Sequence, residues 1–251
     1  SVQIYEKTGV KTFFDGGDTG TVMPQMVARS RGSHLFDELK EGRNDAALEN
    51  FTNVERFGQA EFCISPDLLA EKNPNVVETK PIVDGTTWND FCLSNELIGI
   101  SGAAGRELGI TMYPIMNNAK SQNLYLKPGM FFSIAETSQH KEEAAKFINW
   151  FVNSIECNEI LLAERGIPVN SEVAEILKSQ VDEVSQEVFE YIASVSKIAE
   201  PIDDPDPAGK GEVEALGKKL VEDLRYGDIT AEEAAKQYAA GAKKILEEAA
   251  K

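Results

Sequence analysis

LKPGMFFSIAETSQHKEEAAKFINWFVNS, residues 126–154, carries three local signals in one run. The glycine at Gly129 marks a turn, the apolar stretch that follows reads as extended, and a helix begins after Ser138, a plausible N-cap. Ala144, Phe147, Ile148, Phe151 and Val152 fall at i, i+3, i+4, i+7 and i+8, the stripe of a helix lying on a core. Turn, strand and helix in succession is the grammar of an α/β chain. The open question is whether the turn only closes a core or stands at the mouth of a ligand cleft.

Working outward, the same alternation recurs. On the N-terminal side, Val10–Phe14 reads as a short strand, and helical spacing follows from Gly20 (Val22, Met26, Ser30) and from Asp45 (Leu48, Phe51, Val54, Phe57). NPNVVETKPIVDGTTWNDF is punctuated by Pro74, Pro81 and Gly85 and reads as loop. Two buried strands are expected at Leu97–Ile100 and Gly109–Ile115, separated by SGAAGREL as a turn or helix. On the C-terminal side the pattern is almost wholly helical, with stripes Val184, Val188, Ile192, Val195 and Val213, Leu216, Leu220, Leu224. A final helix opens on a Thr230/Glu233 capping box and buries Ala234, Tyr238, Ala242, Ile245 and Leu246. AEPIDDPDPAGKG interrupts this helical third. The first residues read as a helix end ahead of Gly9, which implies that an N-terminal portion precedes them.

Charge and composition narrow the function classes. With 42 acidic against 25 basic side chains the formal charge of the 251 residues is −17, which repels a phosphate backbone and argues against nucleic acid as a partner. No window approaches the ~18 to 20 unbroken apolar residues of a membrane span. Cys63, Cys92 and Cys157 are odd in number, widely spaced and set among apolar neighbours, so they read as buried free thiols; with two histidines and no C-x-x-C there is no zinc cluster. No cofactor is called for.

Catalytic patterns are weak. His34, in the polar turn RGSHLFDE, and His140, at the start of a surface helix, are both poorly placed as the base of a Ser-His-Asp set. GGDTG and SGAAGREL lack the spacing of a phosphate-cradling loop. DDPDPAGKGEVE places Asp204 and Asp206 at alternate positions but puts Ala215 where a calcium loop needs a bidentate carboxylate, so it reads as a solvated loop. Phe147, Trp150 and Phe151 read as core aromatics. Trp88, Phe91, Tyr113, Tyr125, Phe131 and Phe132 instead sit at strand ends and loops beside Asn89, Asn95 and Gly129, a combination that suits a polyol ligand, because a sugar offers a C–H face to a ring and hydroxyls to amides.

Three stretches in order resemble the family 1 extracellular solute-binding proteins, the sugar receptors of ABC importers. DFCLSNELIGISGAAGRELGITMYPI is similar to the family's W-S-N loop and its G-(I/V)-T-x-x-P strand. The opening run is similar to the glycine-containing crossover and K-E-x-A-x-x-F helix. LLAERGIPVNSEV and LRYGDITAEEAAKQYAAGAKKILEE are similar to the G-x-x-P segment and terminal helix, while FFDGGDTGTVMPQM extends the likeness more weakly toward the N-terminus.

The resemblance implies an α/β, periplasmic-binding-protein-like (type II) fold of two lobes, represented mostly by the C-terminal lobe, with much of the N-terminal lobe lacking. Residues 1–127 and 173–251 would form the C-terminal lobe and residues 128–172 would return to the N-terminal lobe. It implies a monomeric, non-enzymatic receptor that binds a sugar or oligosaccharide between its lobes and delivers it to ABC permease subunits. Such a receptor is extracellular or periplasmic, held at the membrane only by a lipid anchor outside this sequence. Carried over position by position, the ligand contacts are Asp15, Gly17, Asp18 and Thr19 in the N-terminal loop, Trp88, Asp90, Phe91, Ser94 and Asn95 in the W-S-N-like loop, and Gly129, Met130 and Phe131 at the crossover. Leu93 stands where the family often has an aromatic before Ser-Asn, which points away from a long maltodextrin. The alternatives are a glycan-acting hydrolase and an interaction module made of the C-terminal lobe alone.

Overall fold

A computed structural model of the chain describes residues 1–14, 22–127, 129–163 and 166–251. Among them the regular elements are α1 (Val2–Thr8), α2 (Val22–Arg31), α3 (Leu35–Glu41), α4 (Asp45–Gly58), α5 (Pro66–Lys72), a 3-10 turn (Val77–Thr79), α6 (Glu96–Ala104), α7 (Lys141–Asn153), α8 (Ile155–Leu161), α9 (Ser171–Lys178), α10 (Glu183–Val195), α11 (Lys210–Tyr226) and α12 (Ala231–Ala249). Extended segments join through isolated parallel bridges, Lys11 to Thr87, Thr12 to Cys63 and Tyr125 to Glu200. The Val10–Phe14 strand is thus present as a bridged segment.

The principal core lies where α12 packs on α4, α11 and α3, with α2 joining through α4 and α3. Alanines at 231, 234, 235, 239 and 242 line the buried face of α12, so neighbouring backbones come close and leave room for one large side chain. That side chain is Tyr238, fully buried and set edge-on against Phe51 with ring centroids 5.6 Å apart. Gly241 serves the same approach, since a Cβ there would stand 2.6 Å from Leu216 Cδ2 on α11. Thr230 and Glu233 form the expected capping box, with Glu233 N donating to Thr230 Oγ1 at 3.3 Å and Thr230 N donating to Glu233 Oε2 at 3.0 Å. Two smaller cores flank this one. Ala163, Val173, Leu177 and Phe189 join α9 to α10, while Phe13, Ile64 and Leu69 gather under Phe91.

Several expectations are corrected. Leu97–Ile100 is helix α6, not a strand: Leu97, Ile100 and Ser101 are its buried residues, at i, i+3 and i+4, and Gly105 ends it in the left-handed region at φ 60°. A short apolar run cannot by itself separate a buried strand from a helix, and here the 3.6-residue period wins. Gly109–Ile115 has no bridge partner and no buried residue, so it is neither a ladder strand nor core. The turn read at His34 opens α3, with His34 at the N-cap, and α7 starts at Lys141 behind His140 while Ser138 accepts from His140 N one turn earlier.

The loop read as solvated is partly buried. Asp203 accepts from buried Arg29 and from Gln25 Nε2 at 2.7 Å, His34 Nδ1 lies 3.2 Å from it, and Arg29 also donates to Pro201 O at 2.9 Å while resting on the Tyr125 ring. The loop is therefore tied to α2.

The largest departure is α7. Its apolar stripe buries no residue, and Phe147 and Trp150 are 54% and 48% exposed. Phe132, Phe147, Trp150 and Phe151 form a surface cluster of rings with centroids 4.7 to 6.1 Å apart. Amphipathic spacing specifies a face to be covered, and the described residues do not cover it.

This contrast is measurable by urea unfolding. Leu224→Ala, at a fully buried position on α11, should cost about 2–5 kcal/mol, whereas Phe147→Ala on α7 should cost less than about 1 kcal/mol.

Candidate functional site

The best-defined candidate surface is the loop 86–96, and its shape follows from one extended segment. Lys11 N donates to Thr86 O and Trp88 N donates to Lys11 O, both at 3.1 Å, on one side of that segment. Thr12 N donates to Phe62 O at 2.8 Å and Ile64 N to Thr12 O at 3.0 Å on the other. Three short stretches, 11–13, 62–64 and 86–88, thus lie side by side and present the loop at their C-terminal ends.

Side chains reinforce the backbone pairing. Asn89 grips Phe13 like a neighbouring strand: its Oδ1 accepts from Phe13 N and its Nδ2 donates to Phe13 O, both at 2.9 Å. Trp88 Nε1 donates to Thr12 Oγ1 at 2.9 Å, which satisfies the indole while the residue stays 45% exposed. Phe91 is half-buried, 5.3 Å from the Tyr113 ring and 6.4 Å, edge-on, from Phe14. Trp88 thus offers an open aromatic surface, anchored at its polar atom, while the Phe91 ring three positions on is partly sandwiched by Tyr113 and Phe14.

Beneath the loop lies an ionic cluster. Lys80, only 7% exposed, donates to Asp90 Oδ2 at 3.0 Å and stands 3.4 Å from Glu96 Oε2. Burial opposes the Lys80 charge, but Asp90 and then Glu96 outweigh it and hold the ammonium above its ordinary pKa. Cys92, half-buried between these carboxylates, has its thiol pushed up to about 12, chiefly by burial and then by Asp90 and Glu96. The Cys63 thiol, buried beside Thr12, is pushed up to about 11 by burial. Both are protonated at neutral pH and poorly suited to nucleophilic attack.

The residues carried over from the resemblance fare differently. Asp15, Gly17, Asp18 and Thr19 lie outside the described residues. Trp88, Asp90, Phe91, Ser94 and Asn95 are brought together by the loop, with Asn95 exposed at the N-cap of α6 and Ser94 half-exposed. Asp90 is committed elsewhere, because Lys80 takes one carboxylate oxygen and Phe91 N donates to the other at 2.8 Å. Gly129, Met130 and Phe131 are exposed, Met130 by 64% and Phe131 by 79%. No hydrogen bond or ring contact joins them to loop 86–96 among the described residues. Two surface recesses, one beside Val2, Arg56 and Phe62 and one beside Lys40, Lys243 and Leu246, are lined by neither group. The sequence carries no signal for Lys80: a lone lysine between Thr79 and Pro81 in an irregular run has no period to mark it as buried.

Two outcomes test this geometry. Asn89→Ala removes both bonds to Phe13 and should destabilise the chain by about 1–3 kcal/mol in denaturant unfolding. Asp84, in the turn that leads into the loop, is held near a pKa of about 2 by its bond to Lys72 and then by Thr86. Because the folded value is depressed, its stabilising effect is present above the ordinary carboxylate range and is lost as pH falls toward 2. In a carboxyl NMR titration Lys72→Met should move the Asp84 midpoint up toward the usual value near ~4.

No protein-family model matches the sequence. Among solved structures, an extracellular solute-binding protein family 1 from Alicyclobacillus acidocaldarius superposes with a TM-score of 0.81 at 22% identity, over 97% of this chain and 62% of its own. A periplasmic oligogalacturonide binding protein from Yersinia enterocolitica, in complex with saturated digalacturonic acid, matches with a TM-score of 0.74 at 21% identity, over 96% of this chain and 61% of its own. A de novo designed cysteine esterase matches with a TM-score of 0.74 at 20% identity, over 96% of this chain and 61% of its own. The chain therefore spans about three-fifths of the length of each of these structures. Its fold is that of the periplasmic and extracellular solute-binding proteins.

Proposed function

We propose that the chain is part of an extracellular solute-binding protein of an ABC importer, in which loop 86–96 forms one wall of a cleft for a sugar or oligosaccharide. The observation that carries this reading is the pairing of a rigidly held, open aromatic surface at Trp88, in a loop that also holds the half-buried Phe91, with the fold of proteins that bind such ligands. Sugar C–H faces stack on aromatic rings, and Ser94, Asn95 and the backbone supply hydroxyl partners.

In this reading residues 1–127 and 173–251 make one lobe. Residues 128–172 cross to a second lobe equivalent to polypeptide that the matched structures have and this chain does not span. The exposed rings of α7 supply the apolar face that such a lobe would cover. Asp15, Gly17, Asp18 and Thr19, together with Gly129, Met130 and Phe131, would line the cleft once the lobes close, and the closed form would be presented to permease subunits at the cell surface, with a lipid anchor holding the receptor there. With a formal charge of −17 a neutral glycan is favoured over an acidic one, in contrast to the ligand of the Yersinia protein.

A hydrolase is the less favoured reading. Glycoside cleavage needs two free carboxylates with one raised in pKa; burial does raise Asp90, but Lys80 and Phe91 N occupy both of its oxygens. Thiol esterase chemistry is opposed by the protonated state of Cys63 and Cys92.

A panel of neutral oligosaccharides, with digalacturonate as the acidic comparison, tests the proposal by thermal unfolding and by product analysis. A matching sugar at about 100 times its dissociation constant should stabilise the protein by about 2.7 kcal/mol with no product formed, and Trp88→Ala should abolish that shift. Turnover of any sugar would overturn the reading.

A further inference from the structure

Lys80 is the one buried ammonium that faces loop 86–96 among the described residues, and it faces two carboxylates rather than one. Each carboxylate also reaches backbone inside the loop. Asp90 Oδ1 accepts from Phe91 N at 2.8 Å, and Glu96 Oε1 accepts from Leu93 N at 3.4 Å. One charge therefore holds two acceptors that in turn hold two peptide groups, on either side of Cys92.

The rest of the loop is fixed by other means. Trp88 and Asn89 are tied to Thr12 and Phe13 by neutral hydrogen bonds, and α6 takes over from Glu96. Residues 90–95 lie between these two anchors and, among the described residues, make no backbone-to-backbone bonds beyond two turn bonds, Glu96 N donating to Leu93 O at 3.0 Å and Leu97 N to Ser94 O at 3.4 Å. Without a cation beneath them, Asp90 and Glu96 would repel each other across a partly dry gap and the peptide groups of Phe91 and Leu93 would lose their acceptors.

We infer that Lys80 is a positioning residue for the ligand-facing wall: it keeps Phe91, Ser94 and Asn95 in a single arrangement before ligand arrives. This rests on the proposed role of the loop in solute binding and deepens it. A wall fixed in advance avoids the cost of ordering the loop on binding, so a flat sugar face meets a ready surface. A hydrophobic residue in place of Lys80 would leave the two carboxylates facing one another; an arginine would keep the charge.

The test reads loop order without any ligand. Iodoacetamide labelling of the folded chain, mapped by mass spectrometry, reports Cys92 inside the loop and Cys63 and Cys157 as buried references. Lys80→Met should raise the Cys92 labelling rate, taken per thiolate from a pH series because Lys80 also lowers the Cys92 pKa, by about tenfold or more while the other two cysteines and the helical circular dichroism stay at wild-type values, and Lys80→Arg should restore most of the slow rate. A Cys92 rate unchanged in Lys80→Met overturns the inference, and so does a parallel rise at all three cysteines, which would mean that Lys80 only supports the fold. Failure of the solute-binding reading shows separately, as the absence of any sugar-induced thermal shift in the wild-type chain.

Discussion

The described site depends on the segment Lys11–Phe13 being flanked on both sides. Backbone bonds from 62–64 and 86–88 fix its two edges, and Asn89 completes the pairing where the third stretch leaves it. An extended segment with both edges satisfied has no freedom to shift register, so everything that leaves its C-terminal end starts from a fixed point. Phe13 adds a hydrophobic lock, fully buried with Ile64 and Leu69, and Phe91 packs over the same cluster. The aromatic wall is thus an outgrowth of a core.

Below that wall the chemistry changes from apolar packing to charge. A buried lysine with two acidic partners is a costly arrangement that a well-packed apolar group could often replace without loss of stability. Its presence under the one loop with an open, anchored tryptophan links it to the shape of the surface more than to the stability of the fold. The Arg29 cluster works in the same manner elsewhere, where Asp203 draws the acidic loop after α10 onto α2 through Arg29 and Gln25 and onto the start of α3 through His34. In a chain so rich in acidic groups, the few buried cations decide where loops are held.

The helical third shows what the sequence made legible. The stripes of α10, α11 and α12 reappear with modest rotation: Val188 and Val195 are buried as read, Ser185 and Phe189 join them, and on α11 Val213, Leu220 and Leu224 are buried while Leu216 is half-buried. The capping box at Thr230 was read from four residues because both of its bonds are local. In the candidate site Trp88, Asn89, Phe91 and Asn95 stand out by residue type and Asp90 and Ser94 only through the family resemblance, whereas nothing in the sequence marks Lys80, since its burial comes from partners ten and sixteen positions away. Leu97–Ile100 is ambiguous in the sequence because so short an apolar run fits either period, and only the packing of α6 selects the helical one.

What the sequence by itself determined is the set of interactions closed within a few residues: helix stripes, caps, glycine stops and the turn chemistry of the loops. These depend on spacing along the chain, which a linear string records in full. The tertiary structure alone decided which stripes find a partner. The spacing of α7 is as amphipathic as that of α12, yet one helix is sealed by α4, α11 and α3 while the other leaves its rings on the surface. Burial is a property of what stands opposite a face, and that neighbour is brought there by the path of the whole chain.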